Sequence, residues 1–250
     1  MLITERHQLI LKLLKEKGNV KIHDLVELTN TSESTLRRDL DQLEKQNYLK
    51  RVHGGASLLH SKRDEPSVFE KITQNLEEKA KIAKYAAELI LDGDCVYLDA
   101  GTTTYQMIKH LRQKDIVVIT NGIDHLDALL ENEICTYFIG GFVKKITKAT
   151  VGRYAYESIK KYRFDKCFMG VNAIHYNFGL TTPDPEEAQI KERAIFLSRE
   201  AFVLADHTKF GEVSFSKFAD LNQTKVITNE EGTITLGKYK EKTEIIIVRD

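Results

Sequence analysis

Seven short, almost uninterrupted apolar runs constrain this chain more than any other feature: Cys95-Val96-Tyr97-Leu98, Ile116-Val117-Val118-Ile119, Thr136-Tyr137-Phe138-Ile139, Lys166-Cys167-Phe168-Met169, Ala201-Phe202-Val203-Leu204, Lys225-Val226-Ile227 and Glu244-Ile245-Ile246-Ile247-Val248. A strand with one wet face alternates apolar and polar residues, whereas a run that is apolar at nearly every position needs cover on both faces. Alternation of such runs with helical stretches predicts an α/β domain built on a mostly parallel sheet, entered through a helix near Glu77 to Leu91. In open parallel sheets ligands gather outside the C-terminal ends of the strands. Polar or glycine turns follow five of the runs: Asp99-Ala100-Gly101-Thr102-Thr103-Thr104, Thr120-Asn121-Gly122, Gly140-Gly141, Gly170-Val171-Asn172 and Asp206-His207-Thr208-Lys209. These turns are expected to converge on one site.

The N-terminal stretch has a different periodicity. Leu9, Ile10, Leu13 and Leu14 recur at helical spacing after Thr4, a candidate cap, and Gly18-Asn19 ends the helix. A second short helix carries Leu25, Val26 and Leu28 and stops near Asn30. Ser32 then caps a third helix, with Leu36, Leu40 and Leu43 forming a narrow inward stripe. Tyr48 to Ala56 alternates and turns on Gly54-Gly55, as a β-wing does. Three helices and a wing in this order predict a winged helix-turn-helix, whose third helix enters the major groove of DNA. Its outward residues are Ser32, Ser34, Thr35, Arg37 and Arg38, and the wing adds Lys50, Arg51 and His53 as phosphate contacts. Two adjacent arginines are also what an ordinary solvated helix face looks like; the ordered context of cap, helix and basic wing favours DNA.

Between these parts the composition turns charged and weakly periodic, with Pro66 inside it. The expected organisation is a DNA-binding domain over residues 1–57, a linker over 58–75 and a sensor domain over 76–250. Lys plus Arg and Asp plus Glu balance at 37 each, so affinity for DNA must come from local placement of charge. Cys95, Cys135 and Cys167 lie without CxxC spacing in runs that read as buried strands, so they are expected to be small core residues and no metal site is expected. The polar opening and the absence of any apolar run of membrane length point to a cytoplasmic protein.

At the sheet ends the chemistry reads as anion binding. Gly101 followed by three threonines opens a helix, offering N–H groups and hydroxyls to a phosphate, although Thr102 or Thr103 would serve equally as a simple helix cap. Lys209 either neutralises an anion or pairs with Asp206. Glu187 and Lys191, four residues apart, read by spacing alone as a helix-surface ion pair.

The run Ser32-Glu33-Ser34-Thr35-Leu36-Arg37-Arg38-Asp39-Leu40, then Leu43-Glu44 and Arg51-Val52-His53-Gly54-Gly55-Ala56, resembles the signature of the DeoR family of bacterial sugar-metabolism repressors, and the similarity continues through the second domain. The Gly179-Leu180-Thr181-Thr182-Pro183-Asp184 run with Glu187 and Lys191, and the Asp206 to Lys209 turn, are similar to that family's sensors. The resemblance implies a sensor fold like those of ribose-5-phosphate isomerase and the coenzyme A transferases. It also implies an effector pocket formed by Asp99, Gly101, Thr102, Thr103, Asn121, Gly141, Glu187, Lys191 and Lys209. Within the family the chain is most similar to repressors of fructose-utilisation operons, which implies fructose 1-phosphate as effector. Two positions depart from the family pattern: Lys144-Lys145 stand where an arginine is usual, and Ala173 follows Asn172 where glycine is commoner.

The reading is therefore a repressor that binds double-stranded operator DNA, is released by a small sugar phosphate, and works as a homo-oligomer, dimer or tetramer, because operators pair half-sites. No cofactor, membrane partner or catalytic residue is expected. The alternative is an isomerase-like enzyme with an attached DNA-binding module, with Asp99, Glu187 and Lys209 as candidate catalytic groups. Activation in place of repression also stays open, since its sign depends on operator position.

Overall fold

The computed structural model describes residues 1–46, 48–52, 54–58, 65, 67–229 and 236–249. It divides into two compact units, Met1–Ser61 and Lys62–Asp250.

In the first unit, α1 (Ile3–Lys17) is followed by β1 (Asn19–Lys21), α2 (Ile22–Thr29), α3 (Glu33–Lys45), β2 (Leu49–Val52) and β3 (Gly55–Leu58). Thr4 lies inside α1 and does not cap it; Glu5 accepts the Leu2 N–H at 2.9 Å, which places the helix start two residues earlier than expected. Asn30 ends α2 in the left-handed conformation, and Ser32 caps α3 by accepting the Thr35 N–H. Ile10, Leu14, Leu25, Leu36, Leu40, Leu43 and Leu49 form the core. The wing is three-stranded, in the order β1-β3-β2, because Asn19–Lys21 adds an edge that its three residues were too short to announce. The two wing glycines answer different needs. Gly54 turns with a φ of +79°, while a side chain on Gly55 would come within 2.1 Å of the Val20 carbonyl across the sheet.

The second unit begins with α4 (Val68–Thr73), within the stretch expected to be a linker. Ser67 and Glu70 form a capping box at its start, but six residues carry too little periodicity to be read as a helix. Then follow α5 (Leu76–Glu88), β4 (Cys95–Leu98), α6 (Thr102–Ile108), β5 (Val117–Thr120), α7 (Ile123–Glu131), β6 (Cys135–Phe138), β7 (Phe142–Val143), β8 (Thr150–Val151), α8 (Gly152–Ile159) and β9 (Phe164–Gly170). The remainder is β10 (Ala173–His175), β11 (Gly179–Thr182), α9 (Pro185–Phe196), β12 (Ser198–Leu204), β13 (Ser216–Ala219), β14 (Lys225–Asn229), α10 (Gly237–Lys240) and β15 (Ile245–Val248).

All seven apolar runs become strands of one sheet, in the order β15-β14-β12-β9-β4-β5-β6, and every neighbouring pair is parallel. Val96 and Leu98 pack with the apolar face of α5, and Tyr97 between them packs with Ile159 and Phe164 on the other side, so both faces are covered. Smaller antiparallel pieces, β10-β11-β13 and β7-β8, lie outside this sheet. The order reverses between β4 and β9: chain progress runs outward through β5 and β6 on one side and through β12, β14 and β15 on the other. Such a switch point leaves a crevice at the strands' C-terminal ends, where successive connections part to opposite sides. Of the cysteines only Cys167 is buried; Cys135 is exposed because β6 is the edge strand, contrary to its expected core role. Among the described residues no helix is long and apolar enough to cross a membrane.

Candidate DNA-binding face and effector site

Because Leu36, Leu40 and Leu43 are buried, α3 turns Ser32, Ser34, Arg37 and Arg38 outward, with Thr35 half-buried at their flank. The three hydroxyls are tied together: Ser32 Oγ lies 3.1 Å from Ser34 Oγ and 2.9 Å from Thr35 Oγ1. Arg37 is engaged by Glu33 one turn back, its Nη2 donating at 2.5 Å, whereas Arg38 makes no ion pair among the described residues. Arg51 is drawn onto α3, where it donates to Asp41 and its backbone N–H donates to Glu44 Oε1 at 2.6 Å. It fastens the wing to the helix more than it presents charge outward. Lys50 is exposed on β2. His53 lies outside the described residues. Beneath the face, Arg6 grips Asp39 with two hydrogen bonds of 2.5 and 3.0 Å, joining α1 to α3. That buried pair was missed because its partners stand 33 residues apart and look like surface charges.

In the second unit the turns after β4, β5 and β9 meet at the switch point. Asp99, at the end of β4, accepts the Gly170 N–H from the end of β9 at 2.9 Å and is paired with Lys191 from α9; Lys191 also donates to the Gly170 carbonyl at 3.1 Å. Asn121 is a hub: its Oδ1 accepts from Tyr97 Oη at 2.9 Å and the Ala100 N–H at 3.1 Å, and its Nδ2 donates to the Thr150 carbonyl. Gly141 is required by packing, since a side chain there would come within 2.5 Å of the Val151 carbonyl. Thr102 is half-buried and Thr103 buried in the first turn of α6, whose leading N–H groups have no partner within the helix.

Glu187 and Lys191 are not the surface ion pair that their spacing suggests. Both are buried, and each is turned to a different partner. Glu187 accepts from Thr147 Oγ1 at 2.7 Å and from Lys144 Nζ at 2.9 Å. Burial opposes ionisation of Glu187, but Lys191 and Lys144 outweigh it and hold its carboxyl below the usual range. Lys144, in the position where family resemblance led us to expect an arginine, also meets Glu65 at 2.6 Å and Asp184 at 2.8 Å. Burial works against its charge, yet these three carboxylates raise its pKa above lysine's ordinary value.

Two further lysines join the site, neither of them legible in the sequence. Lys71 on α4 stands 3.6 Å from Glu65 Oε1, and burial lowers its pKa, with Lys191 and Lys209 adding to the effect. Lys79 on α5 is buried, donates to the Lys71 carbonyl, and has its pKa pulled down to about 8, chiefly by burial; nearby Asp206 resists this and Lys209 and Lys71 reinforce it. Lys209 itself lies 3.9 Å from Asp206 Oδ2. Asp206 is largely committed to its own turn, accepting from Thr208 N–H at 3.0 Å. Five lysines meet the carboxylates of Glu65, Asp99, Asp184, Glu187 and Asp206 here, and Lys71 and Lys79 are the two whose charge burial destabilises, so an anion added near them is favoured. Beside it, between α4, α6 and α7, lies a cavity of 360 Å³ that reaches Gly101 and Thr102.

Comparison with known proteins agrees with this division. Residues 6–62 match the DeoR-like helix-turn-helix domain and residues 74–230 the DeoR C terminal sensor domain. The chain is 50% identical over all of its length, and all of the relative's, to a protein from Bacillus subtilis (strain 168) called "Uncharacterized HTH-type transcriptional regulator FruR". It is 34% identical to a "Putative aga operon transcriptional repressor" of Escherichia coli O157:H7, over 98% of this chain and 94% of that one. Among solved structures, a ribose 5-phosphate isomerase A from Methanocaldococcus jannaschii matches 55% of each chain at 19% identity and a TM-score of 0.41; nothing about function follows from a likeness at that level. A helix-turn-helix with an outward arginine, a parallel sheet with a charged switch-point site, and full-length identity to regulators all agree: the chain belongs to the DeoR family of transcriptional repressors of sugar operons.

Proposed function

We propose that this repressor controls a fructose-utilisation operon and leaves its operator when fructose 1-phosphate occupies the switch-point site. Lys79 carries the reading. A buried ammonium whose hydrogen bond goes to a backbone carbonyl, beside Lys71 and Lys209, is stabilised by a ligand that brings negative charge. A phosphate meets that need, with Thr102 and Thr103 as hydroxyl donors. Asp99, Gly101, Asn121, Gly141, Glu187 and Lys191 build the floor and wall around it. The fructose assignment rests on overall similarity to fructose-operon repressors, and the name FruR of the half-identical relative supports it.

On the DNA side Arg38, Arg37 and the hydroxyls of Ser32, Ser34 and Thr35 meet the operator, with Lys50 from the wing and Arg51 holding the wing to α3. The protein acts in the cytoplasm as a homo-oligomer, which gives each half-site its own winged helix. It is a sensor and not an isomerase. A general base works best with a pKa near neutrality, whereas Glu187 is held low by two lysines, and Asp99 is tied through Oδ2 to Lys191 and the Gly170 N–H. The test is operator release measured against a panel of sugar phosphates. Fructose 1-phosphate should release DNA at lower concentration than fructose 6-phosphate, and free fructose should have no effect. Release by free fructose at equal concentration would overturn the anion site.

A further inference from the structure

Of the groups best suited by type to hold sugar hydroxyls, Asn121 is satisfied by the chain itself, while Asp99 commits Oδ2 to Gly170 and Lys191 and Glu187 commits Oε1 to Thr147 and Lys144. Further open hydrogen-bonding capacity lies in the 360 Å³ cavity between α4, α6 and α7. That volume is within the range of about 300–1,000 Å³ typical of small-molecule sites.

The key group is His125, which lines the cavity while being only 3% exposed. Its Nε2 lies 3.3 Å from Thr104 Oγ1. Thr104 gives its own hydrogen to a carbonyl, that of Asp99 at 2.6 Å or Gly101 at 2.8 Å, so its oxygen is the acceptor for an Nε2–H. Nδ1 is then a bare lone pair, and it has no partner among the described residues. Burial pulls the His125 pKa down to about 4, so the ring is neutral across the physiological range. Gly122 packs against Nδ1, where a side chain would come within 2.4 Å of it. At the rim, Tyr105 stands edge-on to His125 at 5.7 Å, and neither its hydroxyl nor the Asp127 carboxylate has a partner among the described residues. Asp124 is occupied by Lys148 at 2.8 Å. Val68 and Ile72 of α4 make an apolar wall, and Lys71 of the lysine cluster sits on the same helix.

We propose that this cavity is a polyol subsite, taking the uncharged, hydroxyl-bearing part of the effector while its phosphate lies on the lysines. In it His125 Nδ1 and Asp127 accept from sugar hydroxyls, and Tyr105 with the α4 wall covers the C–H face. Asp124 is offset by Lys148, so the carboxylate of Asp127, unpaired among the described residues, is what disfavours the anionic end there and sets the ligand's direction. This subsite rests on the sugar-phosphate reading above, and it decides which sugar is recognised.

The test is calorimetric titration of the full chain with fructose 1-phosphate, fructose 6-phosphate and inorganic phosphate. His125→Leu and Asp127→Ala should each weaken fructose 1-phosphate binding about tenfold, the cost of one lost hydroxyl partner, and leave inorganic phosphate unchanged. His125→Gln, which restores an acceptor oxygen, should recover part of the loss. Asp127 is exposed, so that variant keeps the test decisive if His125→Leu does not fold. Unaltered sugar-phosphate affinity in Asp127→Ala and in the folded His125 variants would overturn the subsite alone. An equal loss of inorganic phosphate binding would also overturn it, by showing that the phosphate sits in the cavity. A parent chain that binds inorganic phosphate but no sugar phosphate would overturn the effector reading and the subsite with it.

Discussion

The outward face of α3 and the switch-point site of the sheet hold similar residues, arginine or lysine beside carboxylates and hydroxyls, and use them in opposite ways. On α3 the outward arginines are exposed and come from one continuous helix, Arg37 held by Glu33 one turn away and Arg38 without an ion pair among the described residues. At the sheet ends Lys71, Lys79, Lys144, Lys191 and Lys209 come from separate segments and all five bury most of their side chains, with Lys144 and Lys191 set against carboxylates far away in sequence. DNA is a polymer with repeating charge, so a solvated array costs little before binding and gains by releasing counterions. A small effector must be recognised by a few groups in a low-dielectric setting, where an unbalanced charge is costly and its neutralisation can be felt through the protein. The difference lies in burial and connectivity and not in residue type.

The comparison predicts most loss where a buried pair supports the exposed face. Asp39→Ala leaves Arg6 buried without its partner and should destabilise the first unit by about 3–5 kcal/mol. Chemical denaturation followed by a probe in each unit should show the loss in the first and not in the second. A shift below about 1 kcal/mol would mean that the pair is solvated.

Next comes the effector site. Lys79→Met should leave operator affinity near the parent value while raising the effector concentration for release by about ten- to a hundredfold, since charge-assisted hydrogen bonds contribute about 1.5–3 kcal/mol. Gel-shift titrations with and without sugar phosphate separate the two quantities, and equal loss in both would place Lys79 outside the effector site.

On the exposed face the expected effects are smaller and graded. Arg38→Ala should weaken operator binding by about 1–3 kcal/mol if it forks onto a base. Arg37→Ala should cost less, because Arg37 must first leave Glu33. Arg51→Ala should act more on stability than on DNA, as its contacts are to Asp41 and Glu44. A reversed order of Arg38 and Arg51 in operator affinity would show that the wing and not the helix reads the site.

The smallest effect is with pH. The Lys79 pKa of about 8 lies below that of an ordinary lysine, so between those values the folded chain holds fewer protons than the unfolded one and stability rises with pH. Effector binding has the opposite sign. A bound phosphate favours charged Lys79 and raises its pKa, so binding takes up a proton above pH 8 and affinity falls, by at most about tenfold per pH unit. Calorimetry in buffers of different ionisation enthalpy would detect that uptake; none at pH 8.5 would mean that Lys79 does not titrate with the ligand.

How much of this was legible follows from how each feature is encoded. The seven strands and the third helix were readable because burial imposes a period on neighbouring residues, all apolar for a covered strand and every third or fourth for a helix. Pieces of a few residues, β1, α4 and the pairs β7-β8 and β10-β11, carry too little periodicity to be seen. The turns at the strand ends were found by position. Two of the residues crowding into them, Lys71 and Lys79, were not, because no local pattern distinguishes a buried lysine from a solvated one. Spacing misled outright at Glu187 and Lys191, where the surface pair it suggests is replaced by two buried residues with separate partners.

By itself, then, the sequence determined the two kinds of unit, the covered parallel sheet, the orientation of α3 and the turns where a ligand would lie, all consequences of local periodicity and turn chemistry. Only the tertiary structure decided which charges meet. Asp99 finds Lys191 across 92 positions, and Glu187 finds Lys144 across 43, because the strand order reverses between β4 and β9 and brings their C-terminal turns together. Electrostatic balance depends on distance in space and on burial, and neither is a property of neighbours along a chain.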